Sequence, residues 1–331
     1  MRAVVLTEHG GPEVLSVTEI DDPEPGPEEV VVDVVATAVN RADVLQRMGY
    51  YPEPGPPRKH EVPGMELAGR VASVGSRVSA WSVGDPVMGI VSGGAYAERV
   101  AVHERQLVAV PDALPLADAG AVPEVYLTAW DALVVQGGLT AGRWALVHAG
   151  ASGVGTAGIG IAKALGALVV TTVSGKKVEA CRRLGADVVV DYTAGEDFVE
   201  AVRDATGGAG VDTVLDVVGG DYVDRNISAI RTGGSIVQVG VMGGGSTQVN
   251  VGALMPKRGR LIGTVLRARP IEEKVALTQR FGREVVPWFA DGTLAPVIDS
   301  RFPLDDVGDA HRHMESNANV GKIALDVAPD R

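Results

Sequence analysis

The sequence contains a single cysteine, Cys181, among its 331 residues. One thiol cannot form a disulfide within the chain, and it leaves no pair of thiolates for a structural zinc site. Aromatic residues are scarce as well, at 4%, so we expect a core made mainly of Val, Leu, Ile and Ala. A chain of this length can still bury a sizeable core without cross-links.

Long apolar runs and an excess of positive charge are also lacking. No stretch approaches the roughly 18 apolar residues of a membrane-spanning helix, and Met1 to Gly10 lacks the apolar core of a signal peptide. The 42 acidic and 30 basic residues leave a net charge of −12, which disfavours attraction to nucleic acid or an anionic membrane. We therefore expect a soluble, cytoplasmic enzyme or binding protein with no nucleic-acid or membrane partner.

Two patterns of hydrophobic residues divide the chain. The first third is rich in strand and turn patterns, whereas short Val-rich runs alternate with helical patterns after residues Pro111–Ala121. This alternation predicts right-handed βαβ units and a parallel sheet. After a helical stretch at Glu272–Ala290, extended patterns return at Val297–Phe302 and Lys322–Val327. We therefore predict an α/β fold with a doubly wound domain, residues 121–266, inserted into a β-rich domain, residues 1–120 and 267–331.

The strongest local signal is a glycine triplet, Gly153, Gly155 and Gly158, with the spacing G-x-G-x-x-G. It lies between a predicted strand, Trp144–His148, and a predicted helix, Val154–Leu165, which is the context of a dinucleotide-binding turn. Glycines let the backbone approach a pyrophosphate, and the helix N-terminus attracts its charge. The alternative is a glycine-rich turn that serves packing alone.

The end of the second predicted strand favours NADP(H) over NAD(H). NAD sites usually have an Asp or Glu here for the ribose 2′-hydroxyl, but this segment contains Ser174, Lys176 and Lys177 and no carboxylate. Lysine and serine can donate to a 2′-phosphate through charge-assisted hydrogen bonds. In the alternative interpretation, both lysines are solvated residues at the start of a surface helix, a position that disfavours cations.

Taken together, several motifs resemble the zinc-independent medium-chain dehydrogenases/reductases, most of all the zeta-crystallin-like NADPH:quinone oxidoreductases. The resemblance covers essentially the whole chain, and its motifs are specific at the superfamily level but weaker for the substrate. It implies a GroES-like catalytic domain with an inserted Rossmann domain. The motifs are Met1-Arg2-Ala3-Val4-Val5, Asn40-Arg41-Ala42-Asp43, Gly49-Tyr50-Tyr51, Gly64-Met65-Glu66-Leu67-Ala68-Gly69, Val83-Gly84-Asp85, His148-Ala149-Gly150-Ala151-Ser152-Gly153-Val154-Gly155 and Asn319-Val320-Gly321-Lys322.

The resemblance also implies a set of cofactor-binding residues. Ser174, Lys177 and Tyr192 would bind the 2′-phosphate, although Val173 stands where some relatives have Gly. The nicotinamide side would be contacted by Gly240 and the Leu266-Arg267 stretch, with Thr128 nearby. The remaining residues implied in NADP(H) binding are Ala151, Ser152, Gly153, Val154, Gly155 and Lys322.

A catalytic zinc is not expected. Zinc members of the superfamily have Cys where this chain has Asn40, and Gly-His-Glu where it has Gly64-Met65-Glu66, and neither Asn nor Met is a good zinc ligand. Without a Lewis acid to polarise an alcohol or ketone, conjugated acceptors such as quinones and enones are favoured, since they spread negative charge themselves and accept hydride from NADPH.

Tyr51 is the predicted proton donor, because a phenol can donate to a developing enolate or quinol oxygen. The alternative is a loop aromatic that shields the site. Asn40 could hydrogen-bond the substrate or cofactor, and both Asn40 and Asp43 could equally cap a short helix. The acceptor pocket is expected to use the Tyr50–Lys59 loop.

Three functions remain open on this evidence. The first is an NADPH-dependent quinone or enone reductase, and the second an enoyl-thioester reductase, which also has a tyrosine at the position of Tyr51. The third is the lens structural or RNA-binding role of some zeta-crystallin relatives, against which the acidic charge and the intact cofactor motif argue. The resemblance further implies a homodimer that joins Rossmann sheets edge to edge through the apolar strand Gly259–Leu266.

Overall fold

The computed structural model describes residues 1–55 and 59–330. The chain forms two compact units, one of Met1–Leu127 with Leu266–Arg331 and the other of Thr128–Val265. The second unit is thus inserted in the sequence of the first, as predicted from the change of pattern. No helix within the described residues is both long enough and apolar enough to cross a membrane.

The secondary structure follows the chain in this order. The strands are β1 (Arg2–Leu6), β2 (Leu15–Glu19), β3 (Glu29–Val39), β4 (Glu66–Val74), β5 (Pro86–Ile90), β6 (Arg99–His103), β7 (Leu107–Ala109), β8 (Trp144–Val147), β9 (Leu168–Val173), β10 (Val188–Asp191), β11 (Val211–Asp216), β12 (Ile230–Gln238), β13 (Arg260–Gly263), β14 (Ile298–Pro303) and β15 (Lys322–Asp326). The α-helices are α1 (Arg41–Arg47), α2 (Leu116–Ala119), α3 (Pro123–Trp130), α4 (Gly153–Ala164), α5 (Val178–Arg183), α6 (Phe198–Ala205), α7 (Tyr222–Ala229), α8 (Val251–Lys257), α9 (Ile271–Glu284), α10 (Val286–Ala290) and α11 (Val307–Glu315).

The first unit is built on a mostly antiparallel sheet. Within the described residues its strand order is β14-β15-β3-β4-β5-β7, with β6 also paired to β3. Strand β3 is the hub because its Val-rich sequence is almost continuously buried. It pairs with β15 through Val39 and Ile323 and with β4 through Ala36 and Ala68. The end of β3 therefore lies beside the starts of β4 and β15, and this register positions the polar residues described below.

The second unit contains a parallel sheet. Its strand order, over the part of the chain that the structure describes, is β10-β9-β8-β11-β12-β13, and every pairing is parallel. If the strands of this unit are numbered from 1 to 6 along the chain, starting at β8, their order across the sheet is 3-2-1-4-5-6. This is the strand order of a dinucleotide-binding Rossmann fold. The central strands are apolar throughout and fully buried, as shown by Leu146 and Val214, because helices cover both faces of such a sheet.

The structure refines three of the predicted elements. The helix predicted to begin at Lys176 begins at Val178, after a 3₁₀ turn at Gly175–Lys177. The long predicted helix Glu272–Ala290 is divided into α9 and α10, where Pro287 lies in the first turn of α10 and cannot continue a preceding helix. The first unit ends at Leu127 and the second begins at Thr128, so this boundary lies within helix α3. The domain limits predicted at 120/121 and 266/267 stay a prediction.

Candidate active site

A buried ion pair lies where β3 ends and where β4 and β15 begin. Lys322 Nζ donates to Asn40 Oδ1 at 2.6 Å, to the Val39 carbonyl at 3.1 Å and to Glu66 Oε1 at 2.8 Å. Glu66 and Lys322 are almost fully buried. Burying charges is costly unless they are paired and hydrogen-bonded, and here all three ammonium protons have an acceptor.

The predicted cofactor contact of Lys322 stays a prediction. In this structure its ammonium protons are all donated to acceptors of the protein, and only 2% of the residue is exposed. Its position at the first residue of β15 directs it to Asn40 and Glu66. Lys322 therefore holds the buried network together.

Asn40 hydrogen-bonds both members of the ion pair. The resemblance implies that it stands where zinc-dependent members of the superfamily have a cysteine. Its Nδ2 donates to Glu66 Oε1 at 2.9 Å, while Met65, at the position of the histidine, is buried. Among the described residues no group of three or more His, Cys, Asp or Glu side chains could hold a metal ion. The positive charge beside Glu66 is an ammonium group.

Asp43 caps helix α1 and extends the network. Its Oδ2 accepts from the Asn40 backbone N–H at 2.8 Å and from the Tyr96 hydroxyl at 3.1 Å. Burial raises the pKa of Asp43 to about 6, although the Asn40 N–H bond acts to lower it. The capping role considered for Asp43 is thus present, whereas the Asn40 side chain faces the ion pair.

The network continues through residues that the sequence analysis did not single out. The Tyr96 hydroxyl lies 3.3 Å from His311 Nε2, and His311 Nδ1 lies 3.5 Å from Arg47 Nη1. Arg47 then pairs with Glu315 at 2.7 Å. Burial and the charge of Arg47 lower the pKa of His311 to about 3, so the imidazole is neutral. A usable signal was Arg47, a cation in the last turn of the short helix α1 and directly before the apolar Met48.

Tyr51 lies against Arg267. The guanidinium carbon is 5.1 Å from the centre of the Tyr51 ring, a cation–π distance, and Nη1 donates to the Tyr51 carbonyl at 3.0 Å. Arg267 also donates to Gln46 Oε1 and to the Ser92 carbonyl, each at 2.6 Å. Burial raises the pKa of Tyr51, so its phenol keeps its proton.

Arg267 therefore positions the Tyr51 segment within the first unit. Its predicted contact with the nicotinamide stays a prediction, as does that of the half-buried Leu266. In the loop predicted to form the acceptor pocket, Pro56, Pro57 and Arg58 lie outside the described residues.

Glu124 is the residue that sequence reasoning missed at this site. It lies in the first turn of α3, and its backbone N–H donates to Glu66 Oε2 at 2.9 Å. Burial and the neighbouring Glu66 charge raise the pKa of Glu124 to about 8, against opposing effects of Lys322 and Arg267. The only sequence signal was one acidic residue in an otherwise apolar stretch after Pro123.

In the second unit, the glycine-rich turn has the geometry of an anion-binding site. Ser152 caps α4 by accepting from the Gly155 N–H at 3.0 Å. A Cβ on Gly155 would lie 2.2 Å from the Ala149 carbonyl oxygen, so only glycine fits there. Helix α4 begins at Gly153, and the first N–H groups of a helix have no acceptor within the helix, which makes a helix N-terminus an anion-binding feature. The turn thus fits a pyrophosphate. The predicted cofactor residues Ala151 and Val154 lie in the same turn.

The neighbouring turn carries the predicted 2′-phosphate residues. Ser174 precedes the 3₁₀ turn that contains Lys177, and Tyr192, which is 51% exposed, follows the adjacent strand β10. Because β9 and β10 are paired, Ser174 and Tyr192 follow the carboxyl ends of neighbouring strands. Their hydroxyl groups could donate hydrogen bonds to a phosphate there. Their contact with a cofactor stays a prediction.

Asp191 changes the charge of this turn. Strand β9 itself ends without a carboxylate, but β10 pairs with β9 so that Asp191 lies opposite Val173. A Cβ on Gly175 would lie 2.5 Å from Asp191 Oδ2. Hydrogen bonds from Thr193 lower the pKa of Asp191, which keeps it ionised. Asp191 lies close to Gly175 in space although the two residues are distant in sequence.

A second buried network supports the glycine-rich turn. His148 Nε2 lies 2.8 Å from Asn226 Oδ1, and Asn226 Nδ2 donates to Asp216 Oδ2 at 2.8 Å. Since Asn226 donates through its nitrogen, its oxygen accepts from the His148 Nε2–H. Burial lowers the pKa of His148, so the ring is neutral. Asp216 also accepts from the Gly219 N–H at 2.9 Å, and the chain of bonds thereby links β8 to the loop after β11.

Two further predicted cofactor residues lie in the second unit. Thr128 is half-buried on α3, and Gly240 follows β12, where a Cβ would lie 3.0 Å from the Val217 carbonyl oxygen. The close backbone approach explains glycine at position 240. The nicotinamide contacts of both residues stay predictions.

Comparison with known proteins gives the following matches. A family model described as an alcohol dehydrogenase GroES-like domain matches residues 26–112, and one described as a zinc-binding dehydrogenase matches residues 184–325. A quinone oxidoreductase from Lama guanicoe is 31% identical, covering 98% of this chain and 97% of its own. The solved structure of Escherichia coli quinone oxidoreductase complexed with NADPH has a TM-score of 0.86 at 31% identity, covering 99% of this chain and 100% of that one.

This chain belongs to the quinone oxidoreductase family of zinc-independent medium-chain dehydrogenases/reductases. It is a quinone oxidoreductase-like enzyme, and the predicted GroES-like and Rossmann fold class is confirmed. The family also extends into larger proteins. Erythronolide synthase EryA2 from Saccharopolyspora erythraea is 36% identical over 90% of this chain, which spans 8% of that much longer protein.

Proposed function

We propose that this enzyme reduces quinones or related enones with NADPH and without a metal ion. The observation that carries the proposal is the Asn40–Glu66–Lys322 network at the zinc position of the superfamily. There a committed ammonium group, hydrogen-bonded at 2.6–3.1 Å to three acceptors, neutralises the carboxylate. Such a group cannot bind a carbonyl oxygen as zinc does, so acceptors that delocalise charge by conjugation are favoured.

Residues of the second unit are proposed to bind most of the cofactor. Ser152 to Gly155 would hold the pyrophosphate, with Ala151 in the same turn, while Ser174, Lys177 and Tyr192 would hold the 2′-phosphate. NADPH, when bound, supplies the hydride. The Escherichia coli neighbour complexed with NADPH supports this choice. Thr128, Gly240, Leu266 and Arg267 are proposed on the nicotinamide side, as the resemblance implies.

In the first unit, we propose that Tyr51 donates a hydrogen bond to the acceptor oxygen. Arg267 holds its ring and its carbonyl, so the phenol is oriented before the acceptor binds. Asn40 and Asp43 are proposed to stabilise this site. Asn40 does so through its hydrogen bond to Glu66 of the ion pair, and Asp43 through the cap of α1. The cytoplasm is the proposed location, which the free, buried Cys181 supports.

An enoyl-thioester reductase is the second candidate. Tyr51 favours it as well, because the resemblance implies a tyrosine at this position in such reductases too. The test follows NADPH oxidation with a benzoquinone, a cyclohexenone and an enoyl-CoA, with a simple ketone as control. Quinone or enone turnover at the highest kcat/KM supports the proposal. Turnover confined to the enoyl thioester supports the second candidate, and turnover confined to the ketone contradicts both.

A further inference from the structure

Ala149, at the start of the glycine-rich turn, has an unusual backbone conformation. Its φ of 54° lies in the left-handed region, which costs alanine free energy that glycine does not lose. Two hydrogen bonds to Thr172 hold this part of the turn. The Ala149 N–H donates to Thr172 Oγ1 at 3.3 Å, and the N–H of the next residue, Gly150, donates to the Thr172 carbonyl at 3.0 Å. One threonine of β9 therefore binds two successive amides of the turn.

The Thr172 hydroxyl is itself oriented by His148. Thr172 Oγ1 lies 3.0 Å from His148 Nδ1. Because His148 Nε2 carries the proton that it donates to Asn226 Oδ1, Nδ1 of the neutral ring can only accept. The hydroxyl therefore donates its proton to Nδ1, and its lone pairs remain available for the Ala149 N–H.

The orientation and the tautomer of the His148 ring are fixed from the other side. Asn226 Nδ2 donates to Asp216 Oδ2 at 2.8 Å, and Asp216 Oδ1 accepts from two backbone N–H groups of the loop after β11. All partners of this carboxyl group are donors, so it fixes the Asn226 amide and, through the amide, the proton on His148 Nε2. The ring also packs edge-on against Phe198 and Tyr222, with both centroids 4.8 Å away.

Burial limits what these two residues can do. His148 is 0% and Thr172 2% exposed, so neither side chain is placed to touch a ligand. Both lie in the second unit and act on the turn through the bonds to its backbone. A strained conformation persists where the surroundings hold it, and a turn that is held in advance has less conformational entropy to lose on binding.

We propose that Thr172 and His148 are positioning residues for the dinucleotide. The Thr172 hydroxyl, oriented by the His148 imidazole, holds Ala149 in the left-handed conformation and so shapes the turn for the pyrophosphate. The inference rests on the proposed function, in which this turn binds the pyrophosphate. Because NADPH and NADH share that group, the two residues should affect both cofactors alike, unlike a residue that contacts the 2′-phosphate.

The test measures equilibrium binding of NADPH and NADH through the fluorescence of the reduced nicotinamide, so it needs no acceptor. Thr172→Val keeps the shape of the side chain but removes the hydroxyl. The Kd should rise about three- to tenfold for both cofactors, as for the loss of one neutral hydrogen bond. Thr172→Ser keeps the hydroxyl and should restore the affinity for both.

Thr213→Val is the matched control. Thr213 is a fully buried threonine of the same sheet, but its hydroxyl donates to the Gly137 carbonyl at 2.9 Å. This variant should bind both cofactors like the wild type, even where it is less stable. His148→Gln tests the same anchor without a change on β9. It keeps a donor for Asn226 but has no ring nitrogen for Thr172, so both Kd values should rise as in Thr172→Val.

A spectroscopic measurement tests the direction of the bonds. In ¹⁵N spectra of histidine-labelled wild type, His148 should carry its proton on Nε2, and its Nδ1 resonance should move in Thr172→Val but not in Thr213→Val. Unchanged Kd values in Thr172→Val and His148→Gln, a rise for NADPH alone, an equal rise in Thr213→Val, or a proton on His148 Nδ1 would each overturn the inference. A wild type that binds neither cofactor would remove the proposed function, and the inference with it.

Discussion

At the scale of single residues, Lys322 illustrates how one cation can organise a site. It is the only partner that neutralises Glu66 among the described residues that contact this carboxylate. Breaking a buried ion pair by removing one member is far more costly than removing both, because the remaining charge is left without compensation. The network is therefore essential to the first unit even though it buries charge.

A double substitution tests this role. Lys322→Met should lower the free energy of unfolding by about 3–5 kcal/mol, because Glu66 would remain buried without a cation. Lys322→Met combined with Glu66→Gln should recover most of that loss. The measurement is urea unfolding of the two variants and of Glu66→Gln alone. Equal stability of the single and double variants would show that the two charges are not coupled.

We expect single residues to decide the choice of cofactor as well. Lys177→Ala should raise the KM for NADPH about ten- to a hundredfold, since one charge-assisted bond contributes about 1.5–3 kcal/mol. Asp191→Asn should have the opposite effect and lower the KM for NADPH by about fivefold, because it removes a carboxylate beside Gly175. Steady-state kinetics with both cofactors provide the measurement.

NADH is the internal control for both variants, since it lacks the 2′-phosphate and its KM should change little. Equal losses with NADH and NADPH in Lys177→Ala would assign Lys177 to the fold or to the pyrophosphate site. No change with either cofactor would return Lys177 to a solvated surface role.

At the scale of elements, β13 is the edge strand of the parallel sheet. It lies within the predicted strand Gly259–Leu266, and Leu261 is 44% and Val265 51% exposed. An apolar edge presents unpaired backbone groups that another chain can pair with. We therefore propose that two copies of the chain associate through β13, as the resemblance implies.

The proposed dimer predicts a clear change of mass. Light scattering at micromolar concentration should give twice the mass of 34.3 kDa for the wild type. Leu261→Glu should shift the protein towards the monomer, because it places charges on both sides of the interface. Val83→Glu, at an exposed position of the first unit, should leave the mass unchanged. A monomeric wild type would contradict the proposal.

At the scale of the whole molecule, activity should not depend on a metal ion. Exhaustive dialysis against a chelator should leave kcat for quinone unchanged, because Asn40 and Met65 replace zinc ligands and Lys322 neutralises Glu66. The measurement compares treated and untreated enzyme at equal folded concentration. Activity that is lost on chelation and restored by zinc would overturn the metal assignment.

The sequence by itself determined the architecture and the location of the glycine-rich turn. Apolar runs are local signals, so the strands predicted at Trp144–His148 and Lys322–Val327 each differ from the structure by one residue, at Trp144–Val147 and Lys322–Asp326. The G-x-G-x-x-G motif is likewise a contiguous signal, since backbone approach at Gly155 is required within one turn. Composition alone also determined that the chain has no disulfide of its own.

Only the tertiary structure decided the charges around the site. Asn40, Glu66, Glu124 and Lys322 are far apart in sequence, and nothing local shows that they contact one another until the fold brings them together. The same holds for Asp191, which reaches Gly175 from a neighbouring strand. Burial and proximity set pKa values, and neither is a local property of the chain, which is why the contacts of Lys322 and Glu124 with Glu66 could not be predicted.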